Sequence, residues 1–100
     1  NKKIFVTIVG DSMSPTLQDG DEVYFDTKPC REINIDDIVL VKHPYMKQRN
    51  LVKRIKNISP DGSVFIQGDN RFCSTDSKSF GTINKNNILG ILKERIRYNE

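Results

Sequence analysis

Ser12 stands in the stretch Gly10-Asp11-Ser12-Met13-Ser14-Pro15-Thr16-Leu17, a hydroxyl in a turn-forming segment directly after the apolar run Ile4-Phe5-Val6-Thr7-Ile8-Val9. Gly10 tolerates a backbone held close to another chain, and Pro15 limits the conformations open to Ser14. That is a good way to hold a nucleophile at the edge of a sheet. The same letters describe a plain turn in which Asp11, Ser12 and Ser14 bond neighbouring amides. A serine hydroxyl attacks a carbonyl only when a base takes its proton, so the chemistry depends on a second residue.

Lys53 is the first candidate for that base. If Leu51-Val52-Lys53-Arg54-Ile55-Lys56-Asn57-Ile58 is a strand, then Leu51, Lys53 and Ile55 point one way, and Val52, Arg54 and Lys56 the other. Lys53 thus falls in an apolar row, where loss of water disfavours its charged form and can leave a neutral, proton-accepting amine. A lysine in such a row can also snorkel past its neighbours to solvent. His43 is the competing base, but beside Pro44 at a strand end it has no obvious third group to orient it. Cys30 could in principle pair with His43 as a thiol nucleophile, yet no spacing rule supports the pair.

The elements that must position these residues are expected to be strands. Short runs rich in β-branched and aromatic residues alternate with turn signals, as in an all-β domain. Strands are expected at Ile4–Val9, Glu22–Phe25, Asp37–Lys42, Leu51–Ile58, Ser63–Gln67 and Ile88–Ile96, and no segment reads convincingly as a helix. Asp19-Gly20-Asp21 and Pro60-Asp61-Gly62 signal tight turns, the second joining a hairpin. Gly68 to Gly81 is a polar loop of 14 residues, and loops that long in small domains tend to be functional.

At 100 residues the chain is read as one domain, residues 1–100, with a single core. Its net charge is only +3, from 16 basic and 13 acidic residues. The basic residues are scattered, which argues against a nucleic-acid partner. The alternation Lys93, Arg95, Arg97 reads as the wet face of a strand. No apolar run approaches the roughly 20 residues that span a bilayer, so no membrane anchor is expected within this chain. Cys30 and Cys73 are isolated, there is one histidine and the carboxylates are not clustered, so neither a metal site nor a cofactor is expected.

Three stretches together carry a family resemblance. Gly10 to Leu17, Val52-Lys53-Arg54, and Gly68-Asp69-Asn70-Arg71 followed by Ser74, Asp76-Ser77-Lys78 and Gly81 resemble, in order, the signature boxes of type I signal peptidases, the S26 peptidases. The resemblance implies an all-β catalytic core, twisted antiparallel sheets forming a partly open barrel. It implies Ser12 as the nucleophile, Lys53 as general base, and the Ser12 amide as an oxyanion donor. Ser74 matches the serine that orients the lysine, and Asp76 and Lys78 match an ion pair bracing the loop, with Lys78 where arginine is common. Lysine lacks the planar bidentate fork, so the brace is expected to be looser. Gly10 departs from the pattern, because many members carry there a hydroxyl that completes the oxyanion hole.

The resemblance implies small residues before the scissile bond, with Met13 a candidate substrate contact, although core packing is the simpler reading of that residue. The connection from Lys53 to Gly68 is far shorter than in housekeeping signal peptidases, which carry an added β domain there, and the compact segment from His43-Pro44 through Leu51-Val52-Lys53-Arg54 resembles the small proteases that mature nickel-type superoxide dismutase. The expected substrate is therefore a precursor protein losing an N-terminal extension, first that dismutase, with signal-peptide removal as the alternative. A cytoplasmic location is expected, or a membrane-associated one if an anchor preceded Asn1. Two rivals remain: a self-cleaving repressor-type protease, for which the 11 residues before Ser12 leave little room, and a non-enzymatic β-barrel in which Gly68 to Gly81 grips a ligand.

Overall fold

The computed structural model describes residues 2–27, 32–46, 48–70, 72 and 80–97, the last three of these without their side chains. Seven strands follow one another: β1 (Lys3–Thr7), β2 (Glu22–Asp26), β3 (Ile38–Lys42), β4 (Asn50–Ile58), β5 (Ser63–Gln67), β6 (Ile83–Asn84) and β7 (Ile88–Arg97). They form one sheet in the order β1-β2-β7-β3-β4-β5-β6, with every neighbouring pair antiparallel. The sheet curls into a half-barrel, the all-β core expected from the sequence. β1 and β6 are its two edges.

β3 explains why the sheet curls around two packed faces. Its residues Ile38, Val39, Leu40 and Val41 are all buried, the signature of a strand covered on both sides. Val39 and Val41 join Leu51, Ile55, Val64, Ile66, Ile83 and Ile91 in one cluster. Ile38 and Leu40 join Ile8, Met13, Leu17, Val23 and Phe25 in the other. Alternation along β3 sends successive side chains to opposite faces, so one strand feeds both.

The expected hairpin at Pro60-Asp61-Gly62 joins β4 to β5, with Gly62 in the left-handed region at φ +90° and its N–H donating to Ser59 O at 3.0 Å. Two expectations needed adjustment. β1 ends at Thr7, not Val9: Ile8 N still donates to Asp21 O at 2.8 Å, but Val9 leaves the sheet and is 86% exposed. β6 and the 3-10 turn Lys85–Asn87 were not expected, because two residues are too few to show alternation. Among the described residues no helix is long and apolar enough to cross a membrane.

Between β1 and the first half of β4 the described strands leave a gap. β4 pairs with β3 from Asn50 to Arg54, but β5 joins only from Arg54 onward. Among the described strands none pairs with residues 50–52 on that side, and β1 has only β2 as a neighbour.

Candidate active site

A groove of about 730 Å³ runs along those two edges, walled by residues 4–13 on one side and by Arg49 to Lys53 on the other, with Leu40 at its base. Ser12 and Lys53 both line it. Ser12 is half-buried at the head of the turn that follows β1. Lys53 is 3% exposed in the row Leu51, Lys53, Ile55 of β4, the placement that strand alternation predicts. It does not snorkel. The Ser12 hydroxyl makes no hydrogen bond with any described residue, so serine and lysine share the groove without being locked together.

The turn that carries Ser12 is tied down at both ends. Gly10 adopts φ +87°, a conformation that any residue with a Cβ occupies only under strain, although the Cβ itself would meet nothing within 4 Å. Its N–H donates to Asp19 Oδ1 at 2.8 Å, so this amide is turned to the carboxylate of the next turn. Met13 is 1% exposed and anchors the turn in the apolar cluster, while also lining the groove. Its packing role is therefore established, and contact with substrate is open to it only at the groove wall. Ser14 N donates to Asp11 O ahead of the cis Ser14-Pro15 bond, and Leu17 N donates to Met13 O across it.

Sequence reasoning missed what fastens this turn to β4. Asp69 accepts from Arg54 Nε and Nη2, both at 2.8 Å, and from Thr16 Oγ1 at 2.6 Å. Arg54 takes the face opposite Lys53, yet its side chain is only 22% exposed and its Nη1 also donates to Asp36 O. One carboxylate thus joins the Ser12 turn to the strand of Lys53 through that lysine's immediate neighbour. The hydrogen bonds from Arg54 hold the Asp69 carboxyl below its usual range against the opposing effect of burial, with Thr16 adding to the shift. Arg54 is pushed up in turn, first by its hydrogen bonds to Asp69. Asn70 adds two bonds to the turn, from its N–H to Ser12 O at 2.9 Å and from Nδ2 to Asp11 O at 3.0 Å. The only sequence signal was that Gly68-Asp69-Asn70-Arg71 formed one of the family's boxes.

His43 lies elsewhere and is otherwise engaged. Its Nδ1 accepts from Tyr45 N and Met46 N, both at 3.0 Å, and its ring packs against Phe80. It caps the β3–β4 turn and does not line the groove. Ser74, Asp76, Lys78, Cys30 and Cys73 lie outside the described residues. Among the described residues no three histidine, cysteine, aspartate or glutamate side chains gather to hold a metal ion.

A serine and a buried lysine line one groove between open strand edges, and comparison with known proteins supplies the family. The sequence profile of Peptidase S24-like proteins matches residues 1–92. The chain belongs to the Peptidase S24-like family. This S24-like chain is similar to mitochondrial inner membrane protease subunit 2 of Saccharomyces cerevisiae, at 28% identity over 83% of the chain and 62% of the yeast protein. It is also similar to mitochondrial ATP-independent inner membrane protease subunit 1a of Arabidopsis thaliana, at 34% identity over 74% of the chain and 58% of the plant protein. Signal peptidase I V of Bacillus subtilis matches at 26% identity over 87% of the chain and 82% of the bacterial protein. The chain spans about three-fifths of the length of the two mitochondrial relatives. The resemblance to signal peptidases therefore stands at the level of the peptidase family, with signal peptidase I among the relatives of this S24-like chain.

Proposed function

We propose that this S24-like chain is a serine endopeptidase that removes N-terminal leader segments from precursor proteins, using Ser12 as nucleophile and Lys53 as general base. The observation that carries the reading is the burial of Lys53 on the wall of the groove that Ser12 also lines. Burial disfavours the ammonium form and so favours an amine able to accept a proton. Hydrogen bonds between catalytic groups are often long in the empty enzyme and tighten when substrate binds, which fits an unlocked serine hydroxyl.

The substrate lies extended in the gap, taking backbone hydrogen bonds from the edge of β1 and from residues 50–52 of β4. Lys53 Nζ takes the Ser12 proton as Oγ attacks the scissile carbonyl, and the negative oxygen is met by the Ser12 N–H. The resulting ammonium gives its proton to the departing amine nitrogen, leaving an acyl-enzyme. Water then attacks the ester, loses a proton to Lys53 and releases the acid, and the serine regains its proton.

The relatives' names favour the signal-peptidase-like reading over maturation of a nickel-type dismutase, since they are inner membrane proteases and a signal peptidase. The tight β4–β5 turn at residues 59–62 keeps the dismutase precursor as a second substrate to assay, because it marks a compact protease with no added domain between Lys53 and Gly68. The test is incubation of the protein with a signal-peptide-bearing precursor and, in parallel, with a dismutase precursor, read by intact mass. A shortened product from the first, absent with Ser12→Ala, is expected. Equal cleavage by Ser12→Ala, or no product from any precursor with folded protein, overturns the reading.

A further inference from the structure

The peptide unit joining Asp11 to Ser12 is gripped at its carbonyl. Asp11 O accepts from Ser14 N at 3.1 Å and from Asn70 Nδ2 at 3.0 Å. The orientation of the Asn70 amide is fixed by its other end, because Oδ1 accepts from Phe72 N at 3.0 Å and only the NH₂ group is then left to face Asp11. In a trans peptide the C=O and N–H lie in one plane and point in opposite directions across the C–N bond, so whatever fixes the Asp11 carbonyl also fixes the direction of the Ser12 N–H. That N–H has no acceptor among the described residues, and Ser12 borders the groove. The Gly10 amide is meanwhile engaged by Asp19.

We propose that Asn70 is a positioning residue: holding the Asp11 carbonyl from behind, it sets the peptide plane so that the Ser12 N–H faces the site where the oxyanion develops. The inference rests on the peptidase reading above. Two donors on one carbonyl also polarise the peptide and strengthen its N–H as a donor. The effect matters most at Gly10, where no side-chain hydroxyl is available to share the load. A side chain some sixty positions away in sequence thus acts on the reaction without touching substrate.

Asn70→Ala removes the side-chain bond and keeps the backbone bond to Ser12 O. Losing an oxyanion donor outright costs about 10²–10³ in turnover, so losing its alignment is expected to lower kcat about 10-fold to 10²-fold with KM changed less than about two-fold. Affinity for a peptide boronate, which mimics the tetrahedral state, should fall in step with kcat. The isosteric Asn70→Asp, which sets a carboxylate against the Asp11 carbonyl, should fall at least as far. The readout independent of turnover is the amide ¹⁵N shift of Ser12, which responds to hydrogen bonding at the preceding carbonyl and should move in both variants while most other amides stay put. An unmoved Ser12 amide, or a kcat equal to wild type in a folded variant, overturns the proposal. If the Ser12 amide moves but wild-type protein cleaves no precursor, the peptide-plane geometry stands and the peptidase reading is what fails.

Discussion

Replacing Asp69 with asparagine keeps the shape of the side chain and removes the charge that joins the nucleophile turn to β4. Three hydrogen bonds converge on that carboxylate, two from the Arg54 guanidinium and one from Thr16. A hydrogen bond to a charged group contributes roughly 1.5–3 kcal/mol net, an exposed ion pair about 0.2–1, and breaking a buried pair costs about 3–5. At 22% and 13% exposure the Arg54 and Asp69 side chains lie between those limits. The variant should therefore lose about 2–3 kcal/mol, with part of its new amide facing the guanidinium as donor against donor. A domain with the usual 5–15 kcal/mol of stability remains folded after such a loss. The assay is urea unfolding across a series of pH values. Because the folded carboxyl titrates below its unfolded value, its stabilisation is complete above about pH 4–5 and is lost as pH falls through the folded value. The wild type should lose stability more steeply than Asp69→Asn on the acid side, and the two curves should converge there. A loss below about 0.5 kcal/mol at neutral pH, together with parallel acid limbs, would refute the idea that this carboxylate fastens the site.

Ser12→Ala and Lys53→Met should each abolish precursor cleavage without unfolding the domain, and the double variant should be no worse than either, because the pair acts as a unit; additive losses in single-turnover rates would contradict a dyad. Cleavage should decline as pH falls below the folded pKa of Lys53, since the base is then protonated, whereas a flat profile from mildly acidic to alkaline pH would remove Lys53 from that role. His43→Ala should cost about 0.5–1.5 kcal/mol by removing the acceptor of the Tyr45 and Met46 amides, which lie in an exposed turn where water can replace it, yet preserve cleavage, as measured by thermal unfolding beside the mass assay.

Period-two alternation made Lys53 legible, because a single charged residue between Leu51 and Ile55 is conspicuous whatever the fold. The same rule put Arg54 on the opposite face but no more: alternation says which face a side chain takes, not that a loop returns to cover that face. Asp69 comes back over Arg54 only because the half-barrel folds the end of β5 against the turn after β1. Nothing local to Gly68-Asp69-Asn70 announces that contact. β3 was legible as buried from its unbroken apolar run, whereas β6 was not, being two residues held in place by pairing with Ser63 and Val64. Gly10 was noticed as permissive. Its actual reason for being glycine is the positive φ, which no neighbouring residue reveals.

A half-barrel left ajar has a cost outside catalysis. Bare strand borders are natural templates for a neighbouring molecule to latch onto, and charges at such borders discourage it. Exposed Lys3 in β1 and exposed Arg49 next to β4 are such charges. Neutralising both should shorten the storage life of concentrated, unliganded protein, and a tight-binding peptide seated in the opening should restore it.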